Sequence, residues 1–344
     1  MNHQKYLLKT KELINNTDIL KTDVFDYEWS PYRDEFDDMF SFYQNTLDRD
    51  SKYGIAPSIF FFNNNLDVNA YAKKTLSDYY VISINKGTIG SLINMFVEKQ
   101  ESLSTILGED FLNFEQSLDT SINILMYQNA VHFTFYHEEA HLIQKSKLLE
   151  STIYENTQEN SNYSLEKHIL EIDADEFSSL SIGSHIFQYA ETTFGGKITT
   201  SQWEKLIIIA CSSAFLYILS LNSNKNKNMY YYERSHPHPV IRITWIVHTI
   251  VGYCVRNFIK SDPRHNLKVN EVVNKTLDFS KIISEHIYQD SLISNYIEVF
   301  EKEGVRIFDY LYKLEKLKQN DKSLAVSKWN LNVINIQKSS LNKK

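Results

Sequence analysis

The chain is poor in the residues that break helices and in those that crosslink small domains. Its 344 residues include 9 glycines, 5 prolines and 2 cysteines, Cys211 and Cys254. Scarce glycine and proline exclude collagen-like, low-complexity and turn-rich sandwich architectures, and they favour helices. Two cysteines are too few for a disulfide framework or a cysteine-based zinc site. These absences predict a helical globular protein.

Positive charge is not in excess either. The formal net charge is −7, with 36 lysines and arginines against 43 aspartates and glutamates. A chain with this balance lacks the broad basic surface that binds polyanions, so we expect no nucleic-acid partner. Apolar residues make up 42% of the chain and charged residues 23%, which is typical of a protein that folds around a buried core.

No apolar run has the length that a membrane span requires. The longest one, residues 206–221, is shorter than the roughly 20 residues that cross a bilayer, so a buried core helix is the better interpretation. The N-terminus also lacks the apolar stretch and the small residues of a secretory signal. We therefore expect a soluble, cytoplasmic protein without a membrane partner.

Composition divides the chain into three segments. Residues 1–50 are acidic and aromatic, and residues 51–260 form the core. Residues 261–344 form a helical extension that ends in a frayed basic tail. The first segment is interpreted either as a docking arm for a partner or as an ordinary pair of N-terminal helices.

Short strand-like segments precede a long helical region. Residues 59–62 and 80–84 are rich in β-branched and aromatic side chains, as strands are. Asn85, Lys86 and Gly87 predict a turn after the second strand, which is either a sheet edge that can pair with a peptide or an internal strand. The patterns beyond it are mainly helical. The predicted fold class is α+β, predominantly helical, with a small sheet.

The most informative segment reads His137-Glu138-Glu139-Ala140-His141. Apolar residues surround it on nearly all sides, which is typical of a helix buried in the middle of a domain. Positions four apart lie on one helix face, so His137 and His141 present two imidazoles to one point, as a Zn²⁺ site requires. Glu138 projects beside them and can take a proton from a metal-bound water. The alternative, two unrelated histidines on a solvated face, conflicts with the apolar surroundings.

A second acidic segment lies on a helix predicted over about residues 165–187. Glu171 and Asp175 are one turn apart there. One carboxylate can complete a set of two histidines and one glutamate, which leaves the fourth position of a catalytic zinc for water. The other can accept a hydrogen bond from the outer nitrogen of a ligating histidine. The alternative is a solvated acidic face that also includes Asp173 and Glu176.

Taken together, these two motifs resemble the gluzincin class of zinc metallopeptidases. In that class an HExxH helix supplies two histidine ligands, and a glutamate in a Glu-x-x-Ala-Asp pattern on a second helix supplies the third. His137, His141 and Glu171 match those positions. The resemblance implies a zincin-like core in which a small sheet packs on the HExxH helix.

Two further stretches are similar to HtpX-like and prenyl-protein (CAAX) proteases. Residues 69–72 read Asn-Ala-Tyr-Ala and precede a predicted strand, and His236-Pro237 is followed by Arg242. Those relatives usually carry transmembrane helices, which are not apparent here, so the chain more closely resembles the soluble Lit-type phage-exclusion peptidases. The resemblance covers residues 66–245.

The resemblance implies metal-assisted hydrolysis of a peptide bond. One Zn²⁺ per chain is expected on His137, His141 and Glu171, with Glu138 as the general base. The implied substrate is a protein or peptide, such as a host protein cleaved in phage exclusion. An activating partner is left open.

The donor that stabilises the oxyanion is left open by the residues themselves. The candidates are imidazoles and phenols near one another in sequence: His236, His238, Tyr230, Tyr231 and Tyr232. The resemblance favours His236, with Arg242 as a structural partner. Asp175 is expected to orient one histidine ligand.

Two functions of other classes compete with catalysis. A regulatory or protein-interaction protein could keep zinc as a structural element only. Such a site usually closes its fourth position with a protein ligand and needs no base at Glu138. A purely helical interaction protein requires both motifs to be coincidences.

Overall fold

The computed structural model describes residues 2–99, 103, 106–146, 163–221, 229–261, 266–288, 292–320 and 326. These residues are mostly helical and include one small sheet, which confirms the predicted α+β class. The chain groups into two compact units, which we call the sheet unit (residues 1–91 and 134–159) and the helical unit (residues 92–133 and 160–344). The predicted frayed basic tail lies outside the described residues.

The described part of the sheet unit includes helices α1 (Asn2–Asn16) and α2 (Arg33–Asp50) and strands β1 (Ser58–Asn63), β2 (Ala70–Lys74) and β3 (Tyr80–Asn85). The strand order is β1-β3-β2, with β3 parallel to β1 and antiparallel to β2. All residues of β3 are buried, so the strand predicted over residues 80–84 is internal. The sheet edge next to it is β2, whose residues are all half-buried.

The turn predicted at residues 85–87 is wrong, because helix α3 (Lys86–Leu92) begins directly after β3. Gly87 is needed there for a different reason. A Cβ atom on this residue would lie 2.0 Å from the carbonyl oxygen of Leu66. The Gly87 N–H also donates to the carbonyl of Asn65 at 3.0 Å. Glycine therefore permits a close approach of two backbone segments.

Aromatic side chains hold the sheet unit together. Helix α5 (Ile122–Gln144) contributes its last 11 residues, 134–144, to this unit. Phe135 of α5 stacks on Tyr43 of α2 with ring centroids 4.2 Å apart, and it meets Phe60 of β1 edge-on at 5.9 Å. Such pairs contribute about 0.5–1.5 kcal/mol each beyond the area that they bury. They fix the part of α5 that carries the HExxH sequence against the sheet.

The described part of the helical unit includes the first part of α5 and the helices α4 (Glu109–Glu115), α6 (Leu165–Phe194), α7 (Thr200–Ser220), α8 (Pro239–Ser261), α9 (Val269–Tyr288) and α10 (Leu292–Asn320). Helix α6 begins where the Ser164 side chain accepts the Lys167 N–H, and it ends at Gly195, whose φ is 55°. It is therefore longer than the predicted helix, because the left-handed glycine, not the loss of apolar spacing, ends it.

Helix α7 is the core helix of this unit. Among the described helices it alone has the length and apolar composition of a membrane span. However, 89% of its most apolar window is buried inside the protein. A reciprocal cap between Thr199 and Gln202 starts the helix. Its burial supports the predicted core helix over a membrane span.

Candidate metal centre

His137 and His141 face each other on the last turns of α5. Their Nε2 atoms are 3.1 Å apart, and their ring planes are nearly perpendicular, at 89°. A tetrahedral ion with two nitrogen ligands at 2.0–2.1 Å separates those nitrogens by about 3.3 Å. Both imidazoles are half-buried. Their spacing and orientation therefore fit two ligands of one metal ion.

The second ring nitrogen of His141 is held by a side chain of the same helix. His141 Nδ1 lies 2.8 Å from the amide oxygen of Gln144, which is buried. Because an amide oxygen only accepts, Nδ1 carries the hydrogen and Nε2 presents its lone pair. The role predicted for Asp175 thus falls to Gln144 for this ring. Sequence reasoning missed Gln144, although its position three residues after His141 places it on the same face.

The two adjacent glutamates of the motif have different surroundings. Glu138 is half-buried, as a base that meets water must be. Glu139 has no exposed surface, and burial, together with the negative charge of Asp50, raises the pKa of its carboxyl well above 4.5. Arg49 and Lys52 in turn pair with Asp50 at 3.3 and 3.5 Å. Glu139 is therefore a buried carboxyl beside Asp50, and Glu138 is the candidate base.

Glu171 lies between two basic side chains of the helical unit. Its Oε1 atom is 3.4 Å from His236 Nε2, and its Oε2 atom is 3.7 Å from Arg242 Nη1. Only 12% of the Glu171 side chain is exposed. The two ion pairs hold the Glu171 carboxylate between helices α6 and α8 and the segment that carries His236. The structure thus brings together three of the predicted site residues.

Arg242 also holds Asp175. Its Nε and Nη2 atoms donate to the two carboxylate oxygens of Asp175 at 2.8 and 2.7 Å. Burial lowers the pKa of Arg242, but the charge and hydrogen bonds of Asp175 outweigh burial, and the net change is upward. One guanidinium therefore connects two carboxylates that lie one turn apart on α6.

The candidates for oxyanion stabilisation differ in their exposure and in the groups that they contact. His236 is 62% exposed at its side chain and lies beside Glu171, with Nδ1 2.9 Å from the hydroxyl of Ser235. His238 is buried, accepts the N–H of Val240 at the start of α8, and has its pKa lowered to about 4 by burial. Tyr231 donates its hydroxyl to Glu303. His236 is therefore the candidate that lies next to a predicted ligand.

Two other histidine groups differ in their surroundings from the pair on α5. His132 and His185 are stacked, with ring planes only 11° apart, beside a cavity of about 260 Å³. The buried His3 of the sheet unit hydrogen-bonds Asp26 at 2.9 Å, and with Glu28 the two form a second cluster that could hold a metal ion, although both of its carboxylates are exposed.

Within the sheet unit, helix α5 carries the paired imidazoles of His137 and His141. Within the helical unit, helix α6 carries the Glu171 carboxylate beside His236 and Arg242. The donor types are those that zinc prefers. No family model, no curated protein and no solved structure matches the chain.

Proposed function

We propose that the protein is a zinc-dependent endopeptidase that hydrolyses a peptide bond of a protein substrate. His137, His141 and Glu171 hold one Zn²⁺ per chain in this proposal. The observation that carries it is the 3.1 Å approach of two Nε2 atoms on perpendicular rings, with Nδ1 of His141 already bound to Gln144. The gluzincin-like sequence motif supports Glu171 as the third ligand.

The side chains have distinct tasks in this proposal. Zn²⁺ held by His137, His141 and Glu171 would supply a water with a pKa of about 7 and a Lewis acid for the scissile carbonyl. Glu138 accepts the water proton and delivers it to the leaving amine. Arg242 holds the Glu171 carboxylate in place through their 3.7 Å ion pair. His236 donates to the oxyanion, and the loss of such a donor typically raises the barrier by about 2.7–4 kcal/mol.

The substrate and the setting follow from the same resemblance. We propose cleavage of a cytoplasmic protein, such as a host protein in phage exclusion, with an activating partner where the enzyme is conditional. The net charge of −7 supports a protein rather than a nucleic-acid substrate. The mostly buried α7 supports a location away from the membrane interior.

Glu138→Gln tests the proposal directly. Wild-type protein is expected to contain one zinc per chain by elemental analysis and to create new N-termini in a cellular proteome. Glu138→Gln keeps the zinc and loses the cleavages, because an amide cannot accept the water proton. Glu166→Gln, an exposed position on α6, is the matched control and keeps both.

Two results would contradict the assignment in different ways. Full cleavage by Glu138→Gln removes this residue as the base. Stoichiometric zinc in a wild-type protein that cleaves nothing supports the alternative, a zinc-stabilised regulatory or protein-interaction protein. Glu171→Ala separates the ligand question, since unchanged zinc occupancy would exclude Glu171 as a ligand.

A further inference from the structure

His168 is a buried residue of α6 whose two ring nitrogens are both bonded. Nε2 lies 2.8 Å from the carbonyl oxygen of Arg234, and Nδ1 lies 2.8 Å from the hydroxyl of Tyr310. A carbonyl only accepts, so Nε2 carries the hydrogen. Nδ1 of the neutral ring then accepts, and Tyr310 donates. Burial lowers the pKa of His168, which keeps the ring neutral.

These two bonds join three parts of the helical unit at one ring. Tyr310 belongs to α10, and Arg234 belongs to residues 229–238, which we call the His236 segment. His168 itself precedes Glu171 by three residues, so the two lie on neighbouring positions of one helix face. The ring thus links the helix that carries Glu171 to the segment that carries His236.

The His236 segment depends on such contacts, because it contains neither helix nor strand. A segment without a backbone ladder is positioned by the bonds that its own groups make to rigid elements. Helix α10 provides a second hydrogen bond to the segment: the Tyr231 hydroxyl donates to Glu303 at 3.2 Å. His236 then lies 3.4 Å from Glu171 at the end of this chain of contacts.

Helix α10 is itself fixed to α6. Lys318 is 1% exposed and pairs with Glu176, and it lies 3.7 Å from Asp173. The backbone N–H of Val326 donates to Asp173 at 2.7 Å. A buried cation among carboxylates is costly to separate from them. Tyr310 therefore projects from a helix that cannot easily shift along α6.

We propose that His168 is a positioning residue that holds the His236 segment against Glu171, and that Tyr310 of α10 orients its ring. The consequence for catalysis rests on the proposed function. The positioning is a property of the helical unit alone, so it is testable without any peptidase activity.

Tyr310→Phe removes the donor and keeps the ring. The readout is native-state trypsin cleavage after Arg234, measured by mass spectrometry relative to cleavage after Lys197 in the exposed loop that follows α6. One net hydrogen bond of about 1 kcal/mol predicts a roughly fivefold rise in this ratio. Tyr296→Phe is the control, since Tyr296 is also buried on α10 and its hydroxyl bonds Thr244 at 3.2 Å. Equal ratios in the two variants would overturn the proposal.

The chemistry at position 168 gives a second test. His168→Gln places an amide N–H close to the original Nε2 and can still donate to the Arg234 carbonyl, whereas His168→Leu cannot. We expect His168→Gln to protect the Arg234 bond from trypsin better than His168→Leu does. Equal exposure in both variants would show that the ring only fills space.

Measurements of kcat and KM distinguish a positioning role of His168 from a general effect on folding. With zinc content unchanged, Tyr310→Phe is expected to lower kcat severalfold with little change in KM, because His236 would act on the transition state rather than on substrate binding. A change in KM alone would contradict the role of the segment in catalysis. Absence of any wild-type hydrolysis would refute the proposed function, while the trypsin ratio still decides the positioning.

Discussion

Arg242 holds two carboxylates of one helix, Glu171 and Asp175, with a single guanidinium. Asp175 is fully buried and receives two hydrogen bonds from Arg242. Arg242→Met leaves this charge buried without its partner, which typically costs about 3–5 kcal/mol. We expect urea denaturation to show that the free energy of unfolding of Arg242→Met is lower than that of the wild type by this amount.

The chain offers a matched control for this prediction. Arg256 lies on the same helix, is exposed, and donates to the carbonyl of Gly252. Arg256→Met should change the free energy of unfolding by less than about 0.5 kcal/mol. The double variant Arg242→Met, Asp175→Leu should recover much of the loss, because it removes both charges. Equal stability of the two single variants would contradict the role of the Asp175 pair.

Gln144 allows a prediction that concerns the metal only. Its amide oxygen fixes the hydrogen of His141 on Nδ1 at 2.8 Å. Removal of such a partner typically weakens metal binding by about 10–100-fold, because the ring then loses its orientation and some basicity. We expect Gln144→Leu to raise the zinc Kd accordingly in a chelator competition, whereas Gln128→Leu, an exposed position on the same helix, leaves it unchanged. An identical Kd for the two variants would exclude this role.

At the scale of single residues, the sequence predicted the pairs whose relative positions are set by helical spacing. His137 with His141, and Glu171 with Asp175, lie one turn apart in the helices as expected. The partners that depend on tertiary contacts were not predictable. Tyr310 bonds His168 across 142 positions of sequence, and no local pattern encodes such a pairing.

At the scale of the elements, helices α6 and α8 approach closely at Gly183. A Cβ atom there would lie 2.4 Å from Cδ1 of Tyr253, whose hydroxyl is bonded to Ser184 at 3.2 Å. The ring cannot move away without losing that bond. We expect Gly183→Ala to destabilise the protein by about 1–3 kcal/mol through overpacking.

Gly252 provides the opposite case on α8. A Cβ atom added at this glycine meets nothing within 4 Å, so only the backbone entropy changes. Gly252→Ala should therefore stabilise the protein by about 0.5–1 kcal/mol. Thermal unfolding of Gly183→Ala and Gly252→Ala tests both expectations. A change of Tm in the same direction for both variants would refute the packing argument.

The element boundaries show what local patterns can and cannot predict. The predicted strands 59–62 and 80–84 agree with β1 and β3 to within a residue or so at each end. Strand β2 was missed, because its sequence, Ala-Tyr-Ala-Lys-Lys, contains few strong strand formers and its pairing with β3 defines it. Gly87 predicted a turn but serves the approach to Leu66, which only the folded backbone reveals.

At the scale of the whole molecule, composition predicted the fold class but not the two units. Scarce glycine and proline agree with the mostly helical structure. The limit between residues 133 and 134, however, falls inside the continuous helix α5. No change of composition, linker or turn signal marks such a limit, because one helix contributes residues to both units. Linker signals are what sequence-based division relies on.

Acid sensitivity is the last expectation, and it concerns the helical unit as a whole. Burial lowers the pKa of four of its histidines, to about 3 for His132 and about 4 for His238, and downward also for His168 and His248. The unfolded chain binds these protons near the ordinary pKa of 6.5, so the folded state binds fewer. Their contribution to stability is present above pH 6.5 and is lost as the pH falls toward the folded pKa values.

A variant at His132 measures the contribution of one histidine to this loss of stability at low pH. Between pH 7 and pH 5 its protonation in the unfolded chain costs about 2 kcal/mol of folding free energy, since each pKa unit corresponds to about 1.4 kcal/mol. We expect urea denaturation to show that the free energy of unfolding falls between pH 7 and pH 5 in both proteins. The fall should be about 2 kcal/mol smaller for His132→Phe than for the wild type. Val131→Ala, a buried neighbour on α5, should lower stability equally at both pH values. If His132→Phe instead gives a drop parallel to the wild type, the buried neutral imidazole is not a source of the acid sensitivity.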